Sequence, residues 1–245
     1  MRILHQEILV NIYHGLPLPN FLVYDRPWYR DAAMMAMVLQ ATGNLHLIRD
    51  WVMNLRDPFD CNNGTTEPDN LGQVLYLISL FADSAHPVVS SVLSEAPRFH
   101  RDEHISGMTD GSEHPVYQTK WLKYGLGSLG LDDPYVVPMV PDTYGTLFWW
   151  DYTDRHVPSR RTGEQGSIRY PYLAWAEHHF IGDPPPLGLL GEGYPATWES
   201  HASAALYGRL ESLDAPLAEY PICMPHTWHA AEAFLYLWQR STMDP

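Results

Sequence analysis

Trp28-Tyr29-Arg30-Asp31-Ala32-Ala33-Met34-Met35-Ala36-Met37-Val38-Leu39 opens on an aromatic and two charges, then turns apolar on almost every face. The spacing predicts a helix over 29–42, buried on most sides. After Gly43, Leu45, Ile48, Trp51, Val52 and Leu55 repeat at helical spacing with Arg49, Asp50 and Asn54 between them, the pattern of an outer amphipathic helix. An inner helix followed by an outer one is a helical hairpin, and the alternation recurs. Asn70 to Asp83 is nearly all apolar, and Pro87 to Glu95 is a shorter outer candidate. Further helices are expected at 116–129, 143–153, 169–181, 197–213 and 226–240. Residues 97–114, polar and holding two glycines, read as a loop able to arch over the helix starts as a lid. Asp132 to Pro141 holds three prolines and is read as non-helical. Ile8, Leu9, Ile12 and Tyr13 read as the last turns of a helix before Gly15 breaks it. The short Val136-Val137 region is the one place with a strand-like signal.

The helix starts resemble one another. Seven times a proline or aromatic leads through a carboxylate, amide or cation into an apolar helical stretch. The instances are Arg26-Pro27-Trp28-Tyr29-Arg30-Asp31, Thr66-Glu67-Pro68-Asp69, His114-Pro115-Val116-Tyr117-Gln118-Thr119-Lys120-Trp121, Pro141-Asp142-Thr143-Tyr144, Tyr170-Pro171-Tyr172, Pro195-Ala196-Thr197-Trp198-Glu199 and Pro225-His226-Thr227-Trp228-His229. Proline fits a first helical turn, where its missing N–H would have no partner, and acids and hydroxyls satisfy the free amides. No strict sequence repeat supports an open solenoid. The expectation is an all-α ring of hairpins, an α/α toroid formed by 1–245 as a single domain, with the helix starts around one polar mouth. The chain is short for a full ring of six hairpins, which leaves room for an incomplete toroid truncated at its N-terminus.

Composition narrows the partner. The 245 residues are 45% hydrophobic and 18% charged, a globular balance. A formal charge of −14 with only 15 Lys+Arg argues against nucleic acid or an anionic membrane, both of which require clustered cations. Residues 1–13 carry Gln6 and Glu7 within the apolar stretch and lack a small-residue cleavage site, and no apolar run is long enough to span a bilayer, so a cytoplasmic protein is expected. Aromatic faces and carboxylates gathered at helix starts suit sugar rings and hydroxyls, which points to an oligosaccharide or polysaccharide partner.

Trp28-Tyr29-Arg30-Asp31-Ala32-Ala33 resembles the W-x-R-D-A-A opening of an inner helix in glucoamylase-like members of the six-hairpin glycosidase superfamily. Pro225-His226-Thr227-Trp228-His229-Ala230-Ala231 resembles the T-W-x-x-A-A start of the last inner helix in the same group. The two motifs stand in the family's order, near the start and near the end of the chain. The family's signature around its catalytic glutamates is not evident between them. The resemblance implies that Arg30 and Asp31 hold hydroxyls of the terminal sugar with Trp28 beside them, and that hydrolysis inverts the anomeric centre.

Glycoside hydrolysis needs two carboxyl groups across the scissile bond. Glu67 and Asp69 precede a buried helix, where the helix dipole favours negative charge; the plainer role for Asp69 is an N-cap. Glu199 follows Trp198 at another helix start, and a tryptophan beside a carboxyl group suits a general acid; a first-turn charge is the plainer role. These three are the catalytic candidates, with Glu192 and Glu219 behind them. Trp28, Arg30, Asp31, Gln118, Lys120, Trp121, Tyr144, Trp198, His226 and Trp228 are the substrate-binding candidates. Asp142, Asp151 and Trp149-Trp150 flank Tyr144, and core packing is the commoner fate of such aromatics. Thirteen histidines lack any H-E-x-x-H or C-x-x-C pattern, so no metal is expected, and Gly125-x-Gly127-x-x-Gly130 follows no strand, so no nucleotide cofactor is expected. The leading expectation is a glycoside hydrolase working by general acid/base catalysis. A polysaccharide lyase or sugar epimerase on the same ring would lean on His114, His201, His226 and Tyr144 instead, and a partial toroid would bind saccharide without catalysis.

Overall fold

A computed structural model describes residues 1–21, 24–138, 140, 198–199, 224–225 and 227–243. They are mostly helical with a few two-residue strands. The chain divides into two compact units, Met1–Trp51 with Tyr194–Pro245, and Val52–Gly193.

In the first unit α1 (Arg2–Val10) buries Leu4 and Ile8, one turn apart, and ends on Asn11. The Asn11 side chain donates to the Glu7 carbonyl at 2.8 Å and its Oδ1 accepts from the Phe21 amide at 2.8 Å, so one buried amide closes the helix and fixes the chain that follows. Ile12 and Tyr13 do not continue the helix. They form β1 (Ile12–Tyr13), paired antiparallel with β2 (Leu16–Pro17) around His14 and Gly15, both at positive φ (50° and 78°). Two left-handed central residues match the twist of a tight hairpin, and this turn wins over helix continuation.

α2 (Tyr29–Ala41) follows an extended Trp28, and Tyr29 through Leu39 are all buried, which makes it the expected inner helix. It stops in a Schellman arrangement: the Asn44 amide donates to Leu39 O at 2.8 Å across Gly43, whose φ of 74° only glycine adopts freely. A 3-10 turn (Leu45–Ile48) leads into the short α3 (Arg49–Met53), within which the boundary between units falls. The last helix, numbered α7 here (Thr227–Met243), packs on both α1 and α2. Asp31 and Arg30 meet Thr227 and Trp228, start to start, so α2 and α7 run parallel. α1 runs the opposite way: His5 lies beside Asn44, past the end of α2, while the chain beyond Asn11 returns to Leu18 and Pro19 at the start of α7.

In the second unit α4 (Asp69–Ser79) is buried from Asp69 to Ile78, and α6 (Pro115–Ser128) lies against it. The register climbs together along both helices. Gln73 reaches the Tyr117 hydroxyl at 3.4 Å, and the Tyr76 ring lies 6.3 Å from Trp121 and 5.0 Å from Tyr124, so these helices are also parallel. They cross where Gly72 faces the backbone of Trp121 and Leu122, and Gly125 faces Gly72 and Leu75. Between them α5 (Pro87–Glu95) carries the chain back with Val88, Val89 and Val92 buried, the single stripe expected of an outer helix. Its cap is His86, whose Nδ1 accepts from the Val88 amide at 3.4 Å.

The stretch read as a loop over 97–114 is a 3-10 turn (Ala96–Phe99) and two tight hairpins, β3 (His100–Arg101) with β4 (His104–Ile105) and β5 (Met108–Thr109) with β6 (Ser112–Glu113). Asp102 and Asp110 sit at positive φ in their turns, a conformation Asp tolerates better than most residues. Val136 and Val137 are in no strand. The helices expected at 143–153 and 169–181 lie outside the described residues. So does most of 197–213, but Trp198 and Glu199 do not start a helix: they form β7 (Trp198–Glu199), paired antiparallel with β8 (Met224–Pro225). Their backbone is extended and laddered, a state that suits Trp, and it cannot at the same time be a first helical turn.

Candidate functional sites at the helix starts

In the first unit the two motifs from opposite ends of the chain meet. The Arg30 guanidinium carbon lies 5.7 Å from the Trp28 ring centre and 5.1 Å from that of Trp228, a cation flanked by two indoles. Such contacts contribute roughly 0.5–2 kcal/mol each, more as water is excluded, and Arg30 is only 5% exposed. Asp31 is fully buried one residue on. Thr227 ties the two helix starts together: its amide donates to Pro19 O at 3.0 Å, and its hydroxyl lies 3.4 Å from Asp31 Oδ1 and 3.5 Å from Leu18 O. Glu199 pairs through its backbone with Met224, three residues ahead of Thr227, so the strand carrying Trp198 and Glu199 lies beside the one that precedes α7 in the chain. Sequence reasoning missed Glu232, a fully buried carboxyl one helical turn after Trp228. The available signal was an acid in the otherwise apolar run Ala230-Ala231-Glu232-Ala233-Phe234.

In the second unit Glu67, Asp69, Gln118, Lys120 and Trp121 are all buried at the starts of α4 and α6. Asp69 does not cap α4. Pro68 holds the cap position with no side-chain bond, and the Asp69 carboxylate instead terminates two chains of hydrogen bonds. The first begins at a backbone amide: Asp60 N–H donates to Asn70 Oδ1 (3.1 Å), Asn70 Nδ2 to Gln73 Oε1 (3.1 Å), and Gln73 Nε2 to Asp69 Oδ2 (2.8 Å). The second begins at Gly107: its N–H donates to Gln118 Oε1 (3.1 Å), Gln118 Nε2 to the Thr109 hydroxyl (2.9 Å), and that hydroxyl to Asp69 Oδ1 (2.7 Å). An amide N–H can only donate, so each chain has one direction, and both arrive at Asp69 as donors. Gln118 is thereby a clamp on the β4–β5 segment, since its Nε2 also donates to Gly107 O at 2.7 Å, and Thr119 holds Ile105 the same way, through both its N–H and its C=O at 3.2 Å.

Glu67 is arranged differently. Its Oε1 accepts from Asn63 Nδ2 at 2.8 Å and from the Asp110 amide at 2.9 Å, while Oε2 accepts from none of the described residues. One oxygen is fixed and the other is available, and the side chain is 3% exposed. Asn63, Thr109 and Asp110 did not enter the sequence reading. The Asp110-Gly111 turn dipeptide was a signal for the hairpin, but nothing in the spacing ties it to Glu67.

His114 is buried just ahead of α6, and its carbonyl accepts from the Gln118 amide at 2.8 Å. Tyr144, His226, His201, Asp142, Asp151, Trp149-Trp150, Glu192 and Glu219 lie outside the described residues, as do the side chains of Trp198 and Glu199. Among the described residues no group of three or more His, Cys, Asp or Glu could hold a metal ion, and no helix is long and apolar enough to cross a membrane. No protein-family profile matches the chain, and neither does any curated protein or solved structure.

Proposed function

We propose that the chain is a glycoside hydrolase built on an α/α toroid of the six-hairpin type, acting on a neutral or weakly polar saccharide. The observation that carries this reading is the meeting of Trp28-Tyr29-Arg30-Asp31 with Thr227-Trp228 at the starts of two parallel helices, nearly two hundred residues apart in sequence. In the resembled family those two motifs open an inner helix and the last inner helix. The parallel pair α4 and α6, with α5 returning between them, supports the same alternation of inner and outer helices.

In this reading Trp28 and Trp228 offer ring faces to a sugar, and Arg30 and Asp31 hold its hydroxyls. Glu67 is the first choice of catalytic carboxyl, because an acid or base needs one oxygen held and the other able to exchange a proton. Glu199 is its proposed counterpart. One protonates the glycosidic oxygen as the bond to the anomeric carbon breaks, and the other takes a proton from the water that attacks that carbon, which inverts the centre. Asp69, with both oxygens committed to donors, has a holding role. The test is hydrolysis of a panel of chromogenic α- and β-glycosides by wild type, Glu67→Gln and Glu199→Gln, with folding checked by circular dichroism. The expected result is cleavage by wild type and a loss of roughly 100-fold or more in kcat for Glu67→Gln. A folded wild type that cleaves no glycoside, or a Glu67→Gln variant of unchanged kcat, overturns the assignment.

A further inference from the structure

We propose that the β5–β6 turn is a flap latched by Glu67 and Asn63 while its root stays clamped, so that a ligand that displaces the Asp110 amide and Asn63 from Glu67 Oε1 releases the tip. The idea stands apart from the hydrolase reading and needs no turnover. The root is tied by uncharged side chains of α6. Thr119 binds both backbone groups of Ile105, Gln118 binds both of Gly107, and Gln118 also reaches Thr109. The tip is tied by different chemistry. The Asp110 amide donates to Glu67 Oε1 at 2.9 Å, and Asn63 Nδ2 donates both to Glu67 Oε1 at 2.8 Å and to Asp110 Oδ1 at 2.7 Å.

Asn63 is the keystone of that latch. Its amide nitrogen lies between two carboxylates, which fixes the orientation of the amide because only the NH2 side can donate to both. Without it, Glu67 and Asp110 face each other as like charges. A sugar hydroxyl, or any other donor that binds Glu67 Oε1, competes with the Asp110 N–H and with Asn63, and it loosens the tip without touching Ile105 or Gly107.

Amide hydrogen exchange on the full chain reads this directly, because the Asp110 N–H is itself one of the latch bonds and the Ile105 and Gly107 N–H groups are root bonds. The variants are Asn63→Ala and Glu67→Ala, so that failure of either to fold leaves the other. Exchange at Asp110 is expected to rise roughly tenfold or more in each, the effect of losing a charge-assisted hydrogen bond. Exchange at Ile105 and Gly107 is expected to stay within about twofold of wild type. The proposal is overturned if Asp110 exchange is unchanged in a folded variant, or if all three amides accelerate by the same factor, which would make 105–110 one opening unit.

Discussion

Gly72→Ala tests the packing that defines the second unit. A methyl group built on Gly72 overlaps the Trp121 carbonyl carbon and oxygen and the Leu122 amide nitrogen. These are backbone atoms inside a helix, so no side chain can rotate away. Nonbonded carbon atoms settle at about 3.5–4.0 Å, and α4 and α6 would have to part by more than an ångström along their whole contact. The aromatic packing of Tyr76 on Trp121 and Tyr124 would loosen with them. Overpacking of this kind costs about 1–3 kcal/mol, and an immovable backbone favours the upper end. Against it stands the gain of about 0.5–1 kcal/mol from replacing a helical glycine by alanine. The net expectation is a loss of about 2 kcal/mol, or about 4–8 °C in Tm for a chain of this size. Gly127→Ala is the control. It lies in the same α6 with nothing within 4 Å of the added methyl, so only the propensity gain of about 0.5–1 kcal/mol remains and Tm should rise slightly. Differential scanning calorimetry on both variants decides. A Gly72→Ala protein melting at or above wild type would refute the close crossing of α4 and α6.

Three other outcomes follow from the first unit. Burial raises the Glu7 pKa above its ordinary value of 4.5, with the Asn11 bond opposing. A raised folded-state pKa gives stability that is full below 4.5 and lost as pH rises through the folded value, so Glu7→Gln should raise Tm at pH 7 and give no gain near pH 4; equal gains at both pH values would contradict this. Arg30→Lys keeps the charge but loses the flat guanidinium between two indoles, and chemical denaturation should show a loss of about 1–2 kcal/mol. Asn11→Ala removes both the α1 closure and the Phe21 anchor, at a cost of about 1–3 kcal/mol by the same measurement.

The helices were legible because each carries a long apolar pattern, and α2, α5 and α6 lie within a residue or so of the periodicity that predicts them. The hairpins were not. A two-residue strand has no alternation to detect, and its stability comes from turn geometry at His14-Gly15 or Asp110-Gly111 and from side chains far away in sequence. Glu199 illustrates the same limit: a proline and an aromatic read equally well as a helix start or as a strand, and pairing with Met224 decides between them. In the candidate sites, residue type marked Arg30, Asp31, Glu67 and Asp69 as unusual. Their partners stayed invisible, because Asp69 is held by Thr109 forty residues on and Glu67 by Asp110 forty-three residues on, with no period linking them.

Two acids two residues apart can therefore be told apart by what their replacement costs. In Asp69→Asn, Oδ1 can still accept from Thr109, but the new NH2 faces the Gln73 NH2, donor against donor. Gln73 cannot turn over to help, because its Oε1 already accepts from Asn70, whose own orientation is fixed by the Asp60 amide. The new amide can turn over, so that its oxygen accepts from Gln73 and its NH2 donates to the Thr109 hydroxyl, but the Thr109 proton then loses its acceptor; in either orientation one buried donor is left unmatched, at a cost of about 1–3 kcal/mol. Glu67→Gln meets no such conflict: the new amide oxygen can take the Oε1 position, accepting from Asn63 and Asp110, and the new NH2 occupies the Oε2 position, which no described donor approaches. Asp69→Asn should thus lower Tm by about 2–12 °C, with Glu67→Gln within about 1 °C of wild type. If Glu67→Gln destabilised as strongly as Asp69→Asn, both acids would be scaffolding and the proposed catalytic reading would lose its residue.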